Sequence, residues 1–387
     1  MSLSAAAPKR VPPWRNIRVL RWMLQLVILL SVASLLYWLW NNYRLNLAQS
    51  KIPTNFRFLD NPSSFTLPGN ALDQSAPVRR AFVQGFLNTL RVSIAGILLA
   101  LLLGTLVGVG RLSKNFVVRT VAGTYVEILR NLPLLLLLTF MNLAVVLQLF
   151  PRIESAWVPF ELFVISNRGI AMPWFVGSGT TLLTLFGCCI AAMFIVSSGC
   201  KVYSNRTGKS VRTFLISGVV FVVLMVFGWS IFGFNWTLPV VNDRGSLGGI
   251  RIDPSYFALL VSLVLYTSSH VAEIVRGSIL AVPKGQGEAA DAIALSPSKK
   301  MRLVILPQAF RVAMPALGNQ SLNLIKNSSL GAVISYFELT QIAQITVGNG
   351  SPAVPAFTLT LFVYLVISLT SSLIINIVNR RLALVER

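Results

Sequence analysis

Long uninterrupted apolar runs constrain the fold of this chain more than any other feature of its sequence. Residues 20–40 and 356–378 each contain enough consecutive apolar side chains to cross a lipid bilayer as a helix. In lipid, the backbone N–H and C=O groups must be satisfied within the protein, which an α-helix achieves by itself. Since 55% of the residues are hydrophobic and only 12% are charged, a soluble domain is excluded. The sequence therefore predicts an all-α, polytopic membrane protein.

The apolar runs predict about eight transmembrane helices. Basic residues concentrate in alternate short loops, and the positive-inside rule assigns these loops to the cytoplasm. This orientation places both the N-terminus and the C-terminus in the cytoplasm. The predicted spans are residues 20–40, 86–109, 121–150, 180–199, 213–234, 255–280, 309–337 and 356–378.

The remaining segments are assigned from the same pattern. Residues 1–19 form a basic cytoplasmic arm, 20–42 an anchor helix and 43–85 a proline-containing extracytoplasmic segment. Residues 86–380 form the main transmembrane domain, and 381–387 form a cytoplasmic tail. The first apolar run could be mistaken for a signal peptide. Its Trp-Leu-Trp end and the lack of a small-residue cleavage site favour a retained anchor instead.

The net charge of +21 arises from basic residues that flank the apolar spans. The positive-inside rule accounts for them, so we expect contact with membrane lipid and no nucleic-acid partner. One histidine, and three cysteines without C-x-x-C spacing, predict neither a metal centre nor a disulfide framework. Gly208-Lys209-Ser210 lacks the leading glycine and the strand of a phosphate-binding loop. No catalytic motif is found either, so no enzyme activity is predicted for this chain.

Small residues recur every four positions along the second predicted span. Residues with this spacing lie on one helix face, where a second helix backbone can approach closely. Glycine is common in membrane helices, but four small residues in register favour a packing surface. These residues are Gly96, Ala100, Gly104 and Gly108.

Two carboxylate–guanidinium pairs occur at i, i+3 spacing near the cytoplasmic ends of spans. Glu127 and Arg130 open the third span, and Glu273 and Arg276 close the sixth. Charged groups in membrane helices are costly and usually face the bundle interior in pairs. We expect the two pairs to lie within reach of each other near a cytoplasmic gate. The alternative is that each side chain extends to the lipid headgroups.

The most polar stretch of the C-terminal half is residues 285–308, which lie between two spans. Strong helix formers open a short helix there, and this helix has no hydrophobic core of its own. The stretch resembles the EAA coupling loop of ABC importer permeases, which docks on the ATPase subunit in that family. The alternative is an ordinary amphipathic connector. The matching residues are Gly285, Glu288, Ala289, Ala290, Leu306 and Pro307, with Ala294 in place of the usual glycine.

From residue 86 to the C-terminus, the chain resembles the permease subunits of polar amino acid ABC importers. It implies the five-helix core of a type I importer, with an extra N-terminal helix and an inserted helix pair at about 151–254. The coupling loop then covers about 281–302. The long form is similar to the general L-amino acid permeases. Further matching motifs are Asn88-Thr89-Leu90, Glu127-x-x-Arg130-x-x-Pro133, Ala272-Glu273-x-x-Arg276-Gly277 and Lys326-Asn327-Ser328-Ser329-Leu330.

This resemblance implies a multi-pass subunit of the bacterial inner membrane that translocates polar or general L-amino acids. The implied partners are ATPase subunits, a second permease subunit forming a heterodimer, and an extracytoplasmic amino-acid-binding protein. ATP-Mg would be bound by the ATPase subunits, and this chain would hold no cofactor. The alternative from another class is a secondary transporter or a channel for small polar solutes. Secondary transporters usually show midplane carboxylates or broken helices in an inverted repeat.

Polar residues on the sixth and seventh spans are candidates for a substrate path. A zwitterion stripped of water needs partners for both its carboxylate and its ammonium group. Lysine and amide side chains could bind the carboxylate, and His270 could add a hydrogen-bond donor whose charge depends on pH. The alternative is that these residues only support the helices. In the order of the chain, the candidates are His270, Asn323, Lys326, Asn327 and Ser328.

Overall fold

A computed structural model describes residues 16–50, 55–67, 72–176, 179–208, 212–233, 235–242 and 245–382. This part of the chain is mostly helical, which confirms the all-α prediction. Most of the predicted basic arm, residues 1–15, and the end of the tail, residues 383–387, lie outside the described residues. The α-helices of the described part are α1 Ile17–Ser50, α2 Val78–Gly110, α3 Phe116–Asn131, α4 Leu134–Phe140, α5 Gly179–Thr207, α6 Thr213–Ile231, α7 Pro254–Leu280, α8 Lys284–Ala292, α9 Pro297–Lys300, α10 Leu306–Asn327, α11 Leu339–Gly348 and α12 Ala353–Leu382.

Six described helices are long and apolar enough to cross a membrane: α1, α2, α5, α6, α7 and α12. The bent pair that begins with α3 and continues through α4 makes a seventh if it counts as one span. The predicted span at 309–337 corresponds to α10, which is not among these apolar helices. Polar side chains such as Gln320 and Asn323 lower its apolarity, and a 3₁₀ helix, Ser328–Ile334, follows it.

The predicted span at 121–150 is not one straight helix, because the chain bends by 102° between α3 and α4. Leu132 is extended, with φ −89° and ψ 136°, which is the conformation that the residue before a proline prefers. Pro133 caps the start of α4, where its missing N–H costs no helical hydrogen bond. Beyond α4 the chain continues as a π-helix, Met141–Leu149.

The centre of the fold is the contact between α2 and α7. A Cβ atom added to Gly104 would lie 2.5 Å from the Cβ of Val271 and 2.7 Å from the carbonyl oxygen of Ser268. A Cβ atom added to Gly108 would lie 2.7 Å from the carbonyl oxygen of Ala272. Only a residue without a side chain allows this backbone approach. The four small residues singled out in the sequence, Gly96, Ala100, Gly104 and Gly108, are all buried on α2.

The inserted segment contains two packed helices and several short strands. Helices α5 and α6 contact each other where Gly228 lies against the side chain of Leu185. The segments before α5 and after α6 form strands as well as irregular structure, and β7 lies just before α7. The strands are β1 Val164–Ser166, β2 Gly169–Met172, β3 Trp174–Val176, β4 Asn235–Thr237, β5 Val240–Asn242, β6 Gly245–Leu247 and β7 Ile250–Ile252. They pair antiparallel in the orders β1-β2-β7, β3-β4 and β5-β6.

A buried carboxylate joins α11 to α12. Glu338 caps α11, and its oxygens accept the backbone N–H groups of Thr340 at 2.9 Å and Gln341 at 2.8 Å. The Tyr364 hydroxyl, on α12, donates to the same carboxylate at 2.6 Å. Burying a carboxylate is tolerated here because several donors satisfy its oxygens.

Candidate functional site

The predicted coupling loop is a short helix that the rest of the chain leaves exposed. Gly285, Glu288 and Ala289 are exposed on α8, and Ala290 alone of the EAA residues is buried. Ile293, just after α8, is 71% exposed. The exposed face of α8 is therefore accessible to another protein.

Two polar contacts hold this helix in place. Lys300, on α9, donates to both carboxylate oxygens of Asp291 at 2.8 Å. Gln308 donates to Gln286 at 3.1 Å, which joins the first turn of α10 to α8. Leu306 and Pro307 begin α10 and are exposed. These contacts hold the loop in a defined conformation, so it is not an extended connector.

Ala294 stands where the coupling-loop pattern usually has glycine, and it adopts a left-handed conformation with φ +57°. Glycine enters this region at little cost, whereas an L-residue with a Cβ does so at about 1–2 kcal/mol. The left-handed turn after α8 thus explains why the coupling-loop pattern usually has glycine at this position. It also indicates local strain at this residue.

Glu273 is the centre of a charge cluster at the end of α7. Arg276 donates to its Oε1 at 2.5 Å, one turn further along the same helix. Arg111, which follows α2, donates to its Oε2. Arg130, in the last turn of α3, lies 3.9 Å from Oε2. One carboxylate therefore links α2, α3 and α7, and it does so just before the chain enters the coupling loop.

Local sequence patterns do not assign Arg111 to this cluster. Arg111 follows Gly108 by three residues and lies just beyond the end of α2. Because Gly108 lies against Ala272 and Val275 of α7, the next turn of α2 must reach the level of Glu273. The packing surface of small residues was the signal that could have located Arg111.

Glu127 and His270 line a cavity of about 400 Å³ beside this cluster, together with Arg111, Arg130 and Glu273. Three of the four residues of the predicted pairs, Glu127, Arg130 and Glu273, thus line one cavity. Glu127 makes no ion pair with any described residue. The Nδ1 atom of His270 lies 3.0 Å from the carbonyl oxygen of Tyr266.

Lys326 lies in a different cavity, of about 540 Å³, between the end of α10 and α12. Four hydroxyl-bearing residues, Ser329, Thr340, Thr360 and Tyr364, also line it. The predicted path residues His270 and Lys326 therefore do not line one cavity.

The other three predicted path residues differ in exposure. Asn323 is exposed and Asn327 is half-buried. Ser328 is completely buried, and its hydroxyl donates to the carbonyl oxygen of Ile325 at 2.7 Å. The hydroxyl of Ser328 is therefore used within its own helix.

Known proteins resemble this chain over most of its length. Residues 96–384 match the family model described as "Binding-protein-dependent transport system inner membrane component". YhdX of Escherichia coli (strain K12) is 37% identical to this chain, and the match covers 96% of both chains. Its name assigns it provisionally to the amino-acid ABC transporter permeases.

Two further relatives also match over almost their full length. The general L-amino acid transport system permease protein AapQ of Rhizobium johnstonii is 35% identical, covering 94% of this chain and 92% of its own. The glutamate/glutamine/aspartate/asparagine transport system permease protein BztB of Rhodobacter capsulatus is 34% identical, covering 94% of each chain. This chain belongs to the family of inner-membrane components of binding-protein-dependent transport systems.

Proposed function

We propose that this chain is the membrane-spanning permease subunit of an ATP-driven importer for polar L-amino acids. Family membership supports the importer class over a secondary transporter or a channel. The names of the three relatives support amino acids as substrates. The complex contains ATPase subunits, a second and different permease subunit, and an extracytoplasmic binding protein.

The observation that carries this proposal is the exposed helix α8 and its short connection to α7. Only residues 281–283 separate the two helices, so a displacement of α8 acts directly on the end of α7. Glu273 lies two turns before that end and holds α2 and α3. Closure of the ATPase subunits on ATP would therefore move the coupling helix and shift the charge cluster. Transport follows if the two conformations differ in their affinity for ATP and for substrate.

ATP hydrolysis belongs to separate subunits in this proposal. The chain has no phosphate-binding loop, and α8 offers a surface to an ATPase rather than a nucleotide site. The basic loops orient α8 and both termini toward the cytoplasm. The first turn of α7 then faces the opposite side, where a binding protein delivers substrate.

Two cavities support the passage of a polar solute. The cavity beside Glu273 carries His270, and the cavity beside α12 carries Lys326 with several hydroxyl groups. A lysine in a membrane domain needs water, a carboxylate or a ligand. We infer that the cavity of Lys326 contributes to the path and that His270 acts nearer the charge cluster.

The proposed function is tested by reconstitution in proteoliposomes with both permease subunits, the ATPase subunits and the binding protein. We expect uptake of labelled L-amino acids that requires ATP and every subunit. The chain alone should hydrolyse no ATP. Uptake driven by a proton or sodium gradient without the ATPase subunits would contradict the proposal.

The path is tested by changing Lys326 to Met and His270 to Ala separately. Lys326→Met should reduce uptake of acidic amino acids more than that of neutral or basic ones, because it removes the cation from that cavity. His270→Ala should lower the rate for all three classes alike. A uniform loss of rate in both variants, with an unchanged substrate profile, would leave only supporting roles for these residues.

A further inference from the structure

A cavity of about 560 Å³ lies at the end of the bundle opposite the coupling loop. Tyr256, in the first turn of α7, lines it, while the coupling loop follows the last turn of that helix. A helix of 27 residues is about 40 Å long, which separates the two sites by the thickness of the membrane. The volume falls in the range of small-molecule sites.

Five parts of the chain line this cavity, and two of them contribute only Leu67 and the pair Tyr336 and Phe337. Helix α2 contributes Gln84, Asn88 and Arg91, and the start of α7 contributes Tyr256. The inserted segment contributes Trp174 of β3 and part of β7 with the glycine before it. The insertion therefore reaches the core of the transporter at this cavity, through β7 and its direct continuation into α7.

Arg91 brings a positive charge to the cavity. Its guanidinium carbon lies 4.6 Å from the centre of the Tyr256 ring, which orients the side chain by a cation–π contact. None of the ion pairs in the described part of the chain includes Arg91. Arg91 is exposed where it lines the cavity. Its guanidinium can therefore contact an anionic group that comes from outside the chain.

A carboxylate in the same cavity can complement a positive group. Asp253 precedes α7 and makes no side-chain capping hydrogen bond. Its ion-pair partner is Arg251 of β7 at 3.6 Å, and both side chains are more than two-fifths exposed. Such a loose, solvated pair is weak and easily exchanged for another cation. Asp253 can therefore accept an ammonium group.

We propose that this cavity binds the zwitterionic head group of an α-amino acid, with Arg91 contacting the α-carboxylate and Asp253 the α-ammonium. This inference rests on the proposed function, since the ligand class is that of an amino acid importer. The cavity would be the receiving site on the side of the binding protein. The inserted segment then has a role in recognition, because it supplies one wall and Arg251, which competes for Asp253.

The test uses the assembled transporter in nanodiscs without the binding protein and measures binding by saturation-transfer NMR, which detects weak ligands. The probes are L-glutamine, 4-aminobutanamide, which lacks the α-carboxylate, and N-acetyl-L-glutamine, which lacks the α-ammonium group. Wild type should bind L-glutamine and discriminate against both analogues by roughly 10-fold or more, because each loses a charge-assisted contact. Arg91→Gln should lose the preference for L-glutamine over 4-aminobutanamide. Asp253→Asn should lose the preference for L-glutamine over N-acetyl-L-glutamine.

Two further variants separate recognition from support of the fold. Arg91→Lys keeps the charge and should retain most of the preference for a carboxylate. Arg80→Gln makes the same change as Arg91→Gln in the first turn of α2, at an exposed position that does not line the cavity. It should bind all three probes like wild type.

Several results would overturn the inference. The inference fails if Arg91→Gln discriminates between the probes as wild type does. It also fails if Arg80→Gln loses the same discrimination. A change in affinity for the binding protein with unchanged probe binding would assign Arg91 to protein docking instead. If the wild type transports amino acids but Arg91→Gln discriminates normally, only this inference fails. If the wild type shows no ATP-dependent uptake, the proposed function itself fails.

Discussion

Gly104 offers the sharpest test of the packing that organises this fold. We predict that Gly104→Ala destabilises the protein although it adds a single methyl group. That methyl would lie 2.5 Å from Val271 Cβ and 2.7 Å from the Ser268 carbonyl oxygen, whereas ordinary contact begins at 3.4 Å. Both neighbours are fixed to the backbone of α7, so neither can rotate away. Helices α2 and α7 must therefore separate by about 1 Å, a gap at which packed atoms lose a quarter to a half of their dispersion energy.

The magnitude follows from two opposing effects. Overpacking of a dense interface costs about 1–3 kcal/mol, and replacing a helical glycine by alanine returns up to about 1 kcal/mol. Because neither neighbour can rotate away, the overpacking cost lies in the upper part of its range, and we expect a net loss of about 1–2 kcal/mol in the free energy of unfolding. Gly277, near the end of α7, has no atom within 4 Å of its added Cβ. Gly277→Ala should therefore stabilise by up to about 1 kcal/mol.

The measurement is unfolding of the purified full chain in detergent, followed by temperature and by denaturant. Gly104→Ala and Gly277→Ala should shift the midpoint in opposite directions. Combining Gly104→Ala with Val271→Ala should give little rescue, because alanine keeps the Cβ atom that causes the clash. Equal stability of the two glycine variants, or full rescue by Val271→Ala, would refute the packing argument.

Three further predictions concern the cytoplasmic end of the fold. Glu288→Lys should weaken ATPase binding at least roughly 10-fold while leaving the unfolding midpoint of the chain unchanged; normal ATPase affinity would exclude Glu288 from docking. Arg111→Glu and Glu273→Arg should each impair transport, and the double variant should recover part of it, with a coupling energy of about 1–3 kcal/mol from a double-mutant cycle; purely additive losses would mean independent roles. Ala294→Gly should raise the free energy of unfolding by about 1 kcal/mol, whereas Ala292→Gly within α8 should lower it by a similar amount; a loss in both would contradict the strain assigned to the left-handed residue.

Several features of the candidate site could be predicted because they depend on neighbouring residues. The i, i+3 spacing of Glu273 and Arg276 predicts their contact, which the structure has at 2.5 Å. The position of Ala294 in the coupling-loop pattern identifies a place where glycine is usual. The dihedral angles supply the reason, since the residue is left-handed.

The long-range contacts of the site could not be predicted in the same way. Arg111 and Glu273 are far apart in the chain, and only the close approach of α2 to α7 brings them together. The same holds for Glu338, which the Tyr364 hydroxyl reaches from another helix. Hydropathy and helix propensity contain no information about which helix faces which, so these partners depend on packing.

The sequence by itself determined the membrane class, six of the eight predicted spans and the family, because hydropathy, charge bias and local motifs are properties of adjacent residues. The tertiary structure decided how those segments are used. It separated His270 from Lys326 and joined Arg91 to Tyr256. Both results depend on close-packed contacts between distant segments, which are available only once the helices have assembled.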